Sequence, residues 1–345
     1  MKGLVFLGER KAEIREFPDP VAGPGQVVVE MRVSAVCGSD VHVWRLPLEG
    51  NEERFSLIQG HEPCGIVKSV GAGVTKVKPG DRVVVYHYLG CGYCEYCSQG
   101  EYYYCTEGTR GYGWHVHGSM ADLVLTDEQN CLPLPPELSF VDGAFISCIA
   151  ATAYSALSKL DVSGRDTLLV SGLGPVGLCE ALFGKAAGAR VIGVEISPER
   201  LDLAKSLGIE ELIDSSKVDV STEVYKMTKG QGASAAFDST GVVDATKNTI
   251  KSLGYHGRMV FAGMSFSPEG LNLSDGSLGA MWKQLKIMGT LVYPRYMYWE
   301  ISRFLIDHEI PLEKIVTHRF KIEDGVEAMR VADTGKTGKV LINWE

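Results

Sequence analysis

Cys91, Cys94, Cys97 and Cys105 follow one another as C-x2-C-x2-C-x7-C, the spacing of a closed tetrathiolate site. Zinc in a structural role takes four such ligands in a tetrahedron, and tight CxxC steps let one loop wrap round the ion. The intervening Gly92, Tyr93, Glu95, Tyr96, Ser98, Gln99 and Gly100 are polar or turn-forming. Such a segment has little core of its own and takes its shape from the metal. Two disulfides or separate reduced thiols are the alternative reading of the same four residues. A closed site holds structure and does no chemistry.

A second donor set is dispersed along the chain. Cys37 opens Cys37-Gly38-Ser39-Asp40-Val41-His42, His61 and Glu62 follow Gly60, and Cys148 lies in Ser147-Cys148-Ile149. One such residue alone is more often packed in a core than bound to a metal. Together Cys37, His61 and Cys148 make a Cys/His/Cys set with a carboxylate beside it, and three protein ligands leave the fourth zinc position open, as a catalytic site requires. Cys64, Cys131 and Cys179 have no such company and are expected to be buried thiols.

Gly172-Leu173-Gly174-Pro175-Val176-Gly177 fits G-x-G-x-x-G. Its context gives the motif weight: an apolar run precedes it, a helical stretch follows with Pro175 where a missing N–H costs nothing, and a second apolar run ends in Glu195. The glycines allow a tight turn, close approach of backbone to a pyrophosphate and close helix-to-strand packing, while the helix start supplies N–H donors. Glu195, eighteen residues after Gly177, is placed to accept hydrogen bonds from the adenosine ribose. A carboxylate there repels a 2′-phosphate, which predicts NAD over NADP; Arg200 nearby leaves some room for the other cofactor.

These residues need two kinds of scaffold. The first 150 residues read as short strands punctuated by Gly and Pro, with Gln26 to Ala35, Gly65 to Val70 and Asp81 to Tyr86 as strand candidates. This texture predicts a small β-rich, barrel-like domain, residues 1–150, carrying the cysteine loop 91–105. From 151 to 289 the rhythm is strand, helix, strand. Thr167 to Ser171, Arg190 to Glu195, Glu211 to Asp214, Ala235 to Asp238, Arg258 to Gly263 and Leu285 to Gly289 are buried-strand candidates, with a helical stretch from Val176 to Ala187. Six such runs predict an α/β, doubly wound parallel sheet. Residues 290–345, ending in the strand candidate Lys339 to Trp344, are expected to rejoin the first domain.

Composition narrows the class. With 345 residues and 45% hydrophobic content the chain can bury two cores. Its 34 basic and 43 acidic residues give a net charge of -9, which disfavours nucleic acid or an anionic membrane as partner. No apolar run reaches the length of a membrane span or a signal peptide. Nine cysteines, an odd number, fit metal ligation and spare thiols better than a disulfide framework, and a cytoplasmic setting follows.

At full length the chain resembles the zinc-dependent medium-chain alcohol dehydrogenases. Gly60-His61-Glu62-Pro63-Cys64-Gly65, continued by Gly71 and Val74, matches the family signature G-H-E-x2-G-x5-G-x2-V. The turn Val77-Lys78-Pro79-Gly80-Asp81-Arg82-Val83, the cysteine quartet and the Gly-rich loop then follow in the family's order. The resemblance implies a GroES-like catalytic domain beside a Rossmann domain, two zinc ions per chain, a homodimer or homotetramer, and hydride transfer between a small alcohol and its carbonyl. It implies that Cys37, His61 and Cys148 hold the catalytic zinc, with Glu62 near it and able to ligate it. Asp40 resembles the residue that orients the ligand histidine, Ser39 the hydroxyl that bonds the substrate alcohol, and His42 the outer end of a proton relay. Lys339 resembles a basic residue that neutralises the cofactor pyrophosphate.

The substrate is less defined. Trp44, Trp114, His115 and His117 are candidates to line its pocket. Cys148 as third ligand resembles enzymes of simple primary alcohols, whereas Gly38 and the run Val316-Thr317-His318-Arg319-Phe320 resemble the polyol, diol and threonine branches. A polar secondary alcohol, that is a polyol, diol or hydroxy acid, is the expected substrate, with a simple primary alcohol as the alternative. A metal-free quinone or enone reductase of the same fold would lack the Cys/His donors, and a non-catalytic member would have lost one of them.

Overall fold

The computed structural model describes residues 1–264 and 270–344. The chain forms two compact units, Met1–Ala151 together with the chain from Tyr293 onward, and Thr152–Val292.

In the second unit, six parallel strands form one sheet. In spatial order they are Glu211–Asp214, Arg190–Glu195, Thr167–Ser171, Ala233–Asp238, Leu253–Phe261 and Lys286–Gly289. The order reverses beside Thr167–Ser171, the switch point where open parallel sheets bind ligands. The strands carry Leu168, Leu169, Val170, Ile192, Ala235, Ala236 and Phe237 fully buried, because helices on both faces require apolar residues at consecutive positions. Directly after Thr167–Ser171 the chain turns at Gly172 (φ +84°) into the helix Pro175–Ala186, whose first residue is proline. A Cβ on Gly177 would lie 1.8 Å from the Gly172 carbonyl oxygen, so only glycine permits this turn and helix to close on each other.

The first unit is built on a seven-stranded, mainly antiparallel sheet, in which Gln26–Ala35 pairs with Pro63–Val70, Leu123–Asp127 and the late strand Lys339–Asn343. Alternating Val27, Val29, Met31, Val67, Val83 and Val85 fill one apolar cluster. The helix Phe140–Ser147 starts with reciprocal bonds between Ser139 and Asp142, Asp142 N–H to Ser139 Oγ at 3.1 Å and Ser139 N–H to Asp142 Oδ2 at 2.8 Å. It packs so tightly on the strand Pro63–Val70 that a Cβ on Gly143 would meet Cys64 Sγ at 2.3 Å. This close seat fixes the helix end, which is Cys148. Among the described residues no single helix is long and apolar enough to cross a membrane.

Candidate active site

Four donor atoms from three parts of the first unit converge. Cys37 caps the start of the short helix Gly38–Trp44, His61 and Glu62 immediately precede the strand Pro63–Val70, and Cys148 ends the helix Phe140–Ser147. One donor atom from each of Cys37, His61, Glu62 and Cys148 lies within 4.8 Å of every other. Asp40 ties two of the four together. Its Oδ2 accepts the Cys37 N–H at 2.8 Å and its Oδ1 faces His61 Nδ1 at 3.0 Å. With Nδ1–H committed to the carboxylate, His61 Nε2 is the atom left to bind an ion. Ser39 Oγ lies 3.4 Å from that same Nε2, and His42 lies one turn further along the helix.

The electrostatics match a site that expects a cation. The Cys148 thiol hydrogen-bonds Cys37 and, with His61 close by, holds the Cys37 thiol well below its ordinary range in spite of burial. The same bond, with burial, pushes Cys148 up. Burial disfavours a charged His61, yet Asp40 and Cys37 carry the ring well above the usual imidazole range. Burial also pushes the Glu62 carboxyl up, to about 8, against the pull of Lys339. Lys339 Nζ donates to Glu62 Oε1 at 2.8 Å and lies 2.6 Å from Oε2, with both side chains sealed at 1% and 0% exposure. Oε2 is ion-paired with that ammonium and makes no aligned hydrogen bond of its own. Two soft sulfurs, one imidazole and a carboxylate are a donor set that fits zinc.

The quartet Cys91, Cys94, Cys97 and Cys105 also brings its four sulfurs within 4.8 Å of one another. Amide N–H groups already point at sulfur, Cys91 N to Cys105 Sγ and Cys94 N to Cys91 Sγ, both at 3.3 Å. Backbone donors from Cys97 and Thr106 hold Cys94 down at about 6. Cys64, Cys131 and Cys179 are buried thiols, and all nine cysteines are free.

In the second unit the Gly-rich loop is fastened to the end of the neighbouring strand. Glu195 Oε2 accepts the Leu173 N–H at 2.9 Å, while Oε1 accepts from Ile196 and Ser197 at 2.7 and 3.1 Å. Arg200 Nη1 lies 3.8 Å from Glu195 Oε2, and its guanidinium stands about as close to Gly174, 3.6 Å from where a Cβ would be. Val176 and Gly177 belong to the first turn of the helix, whose free N–H groups suit a phosphate.

Several expectations change. Trp44 lines no pocket: it is 2% exposed and packs among Leu4, Phe6, Val36 and Met329. Residues two apart on an α-helix point about 200° from each other, so a helix that turns His42 one way turns Trp44 into the core. Trp114 lies under the Arg54 guanidinium at 4.5 Å and packs against the same core. His115 is exposed and accepts the Gly111 N–H at 3.1 Å, and His117 accepts the Ile58 N–H at 3.1 Å, so both tie down a turn. Lys339 is engaged by Glu62 rather than presented to a pyrophosphate.

Sequence reasoning missed His87, Tyr88 and Tyr293. The His87 ring lies edge-on to His61 at 5.4 Å, and Nδ1 is 2.6 Å from the carbonyl oxygen of Ser147, just before Cys148. Burial and the neighbouring His61 press its pKa down to about 3, so it is neutral. Tyr88 lies beside it, the rings tilted by 44° with centroids 4.8 Å apart, and the buried Tyr293 hydroxyl has no hydrogen-bond partner among the described residues. The available signal was position: His87 follows the strand Arg82–Val85 and precedes Cys91 by four residues.

Comparison with known proteins matches this architecture. Residues 23–136 match the alcohol dehydrogenase GroES-like domain family and residues 175–307 the zinc-binding dehydrogenase family. The chain belongs to the zinc-dependent medium-chain alcohol dehydrogenases. Over 100% of this chain and 99% of its own length, YphC of Escherichia coli, described as an uncharacterized zinc-type alcohol dehydrogenase-like protein, is 36% identical. L-Threonine 3-dehydrogenase of Rhizobium etli is 32% identical over the same shares, 100% and 99%. The crystal structure of 2R,3R-butanediol dehydrogenase from Bacillus subtilis superposes with a TM-score of 0.85 at 27% identity, covering 100% of this chain and 99% of that one. Membership in the medium-chain alcohol dehydrogenases makes the chain an NAD(P)-dependent oxidoreductase that uses zinc.

Proposed function

We propose that the chain interconverts a polar secondary alcohol and its ketone, passing hydride to NAD, with one zinc held by Cys37, His61 and Cys148 beside Glu62 and a second by the cysteine quartet. The observation that carries this reading is the convergence of those four donors, two sulfurs, an imidazole and a carboxylate, within 4.8 Å of one another. When bound, zinc supplies Lewis acidity on the order of 12 kcal/mol, if an alcohol follows water's change from 15.7 to about 7, and the nicotinamide supplies the hydride acceptor.

The protein's residues do the rest. Asp40 keeps His61 in one tautomer and, through the Cys37 N–H, holds two donors in register. Ser39 takes the alcohol proton, and His42 passes it outward. Burial and Arg45 lower the His42 pKa, which favours the neutral ring that such a relay needs. The Gly172–Gly177 turn and the helix start hold the pyrophosphate, and Glu195 accepts from the ribose. Lys339 acts through Glu62, keeping that carboxylate beside the donor set.

The preference for a polar secondary alcohol draws on the relatives. Threonine and 2,3-butanediol both carry a secondary carbinol with a polar group on the next carbon. With both zinc sites filled, 2,3-butanediol or threonine is expected to be oxidised with kcat/KM about 100-fold above that for ethanol, read by nicotinamide absorbance. Ethanol as the better substrate overturns the assignment in favour of a primary-alcohol enzyme.

Cofactor choice rests on Glu195. Glu195→Gln keeps the shape that accepts the Leu173 N–H but removes the charge, so the NAD-to-NADP ratio of kcat/KM is expected to fall about tenfold. An unchanged ratio removes Glu195 from cofactor selection. A cytoplasmic homodimer or homotetramer completes the reading. The outer sheet strand Lys286–Gly289, with Met281 and Trp282 exposed at 67% and 70% just before it, is a surface suited to a second copy.

A further inference from the structure

His87 takes no part in the proton path above, yet it touches both sides of the donor set. Its ring meets His61 edge-on at 5.4 Å, and its Nδ1 lies 2.6 Å from the Ser147 carbonyl oxygen, the last backbone group before Cys148. A carbonyl oxygen can only accept, so Nδ1 carries a proton and Nε2 is the ring nitrogen left to accept a hydrogen bond. Turning the ring over would surrender the bond to Ser147. The acceptor therefore has a fixed direction.

Nε2 is also unspent. Among the described residues it has no hydrogen-bond partner, and it is not one of the partnerless polar atoms sealed from solvent, although the residue as a whole is only 4% exposed. A nearly buried acceptor whose ring packs on His61 is left to pair with whatever enters the site. A substrate with a donor in reach supplies the bond; one without leaves the lone pair stranded, a loss that sites of this kind convert into discrimination.

We infer that His87 is a specificity-determining residue whose Nε2 accepts a hydrogen bond from a hydroxyl or ammonium group on the carbon next to the carbinol. The inference rests on the proposed function and deepens it. It assigns to this side chain the selection of vicinal diols and amino alcohols over plain secondary alcohols.

Two matched pairs test it, 2,3-butanediol against 2-butanol and threonine against 3-hydroxybutyrate, since each differs by one donor. The zinc-loaded enzyme is expected to favour the donor-bearing member of at least one pair by about tenfold or more in kcat/KM. His87→Phe brings that ratio to within about threefold of unity, whatever common factor it takes from both members, and His87→Gln, whose amide oxygen can stand where Nε2 stands, keeps part of it. Metal content is measured in each variant. An equal loss on both members together with lost zinc marks His87 as support for Cys148 alone and overturns the inference. A preference that survives in His87→Phe overturns it too and leaves the proposed function intact. A wild-type enzyme that treats both members of each pair alike overturns the inference, and one that oxidises no secondary alcohol overturns the functional reading with it.

Discussion

Cys148→Ala is expected to lower kcat/KM by about 10³-fold or more, to reduce bound zinc from two per chain to one, and to leave NAD affinity within about twofold. The size follows from what the variant retains. Ser39 and His42 remain, and positioned acid/base groups typically contribute about 10² to 10⁴-fold, well short of the Lewis-acid share on the order of 12 kcal/mol. Cofactor affinity is spared because the Gly-rich loop and Glu195 belong to the other compact unit. Metal analysis, turnover and NAD titration on the same preparation check all three parts. Wild-type turnover in a metal-loaded Cys148→Ala protein would remove this residue from the site.

Lys339→Met is expected to cost about 3–5 kcal/mol of stability, because it leaves the Glu62 carboxylate buried without its partner. Pairing the change with Glu62→Gln is expected to recover much of that loss, since removing both charges of a buried pair is far less costly than removing one. Urea melts of the two variants, followed through the tryptophans, provide the comparison. A Lys339→Met protein as stable as the parent would mean that the pair does not anchor the strand Lys339–Asn343.

Local chemistry was easy to read. The strand Thr167–Ser171, the turn at Gly172 and the strand Arg190–Glu195 occur where apolar runs and glycines place them, because a parallel strand buried on both faces tolerates little else. The cysteine quartet is legible because its ligands sit within one loop. What escaped was set by tertiary contact. Lys339 and Glu62 are 277 residues apart, and no local pattern announces that one neutralises the other. Trp44 looks like a pocket residue only until the helix Gly38–Trp44 is oriented, and its apolar surroundings come from Leu4, Phe6 and Met329, far away in sequence. His87 was invisible for a similar reason. Its meaning lies in the Ser147 carbonyl and the His61 ring, which the strand pairing and the helix Phe140–Ser147 bring to it.

The late strand Lys339–Asn343 has a consequence for biosynthesis. Leu341, Ile342 and Asn343 pair with Ala35, Ser34 and Val33, at the end of the strand that leads into Cys37. While the ribosome is still translating the middle of the message, that edge is bare, and Glu62 has no cation to face. The nucleotide-binding lobe, continuous in sequence, can mature on the nascent chain, whereas the metal-binding lobe must wait for the codons of Lys339–Asn343. A stop codon ahead of that strand would therefore spare the lobe already complete at Val292 and cripple the one that began first.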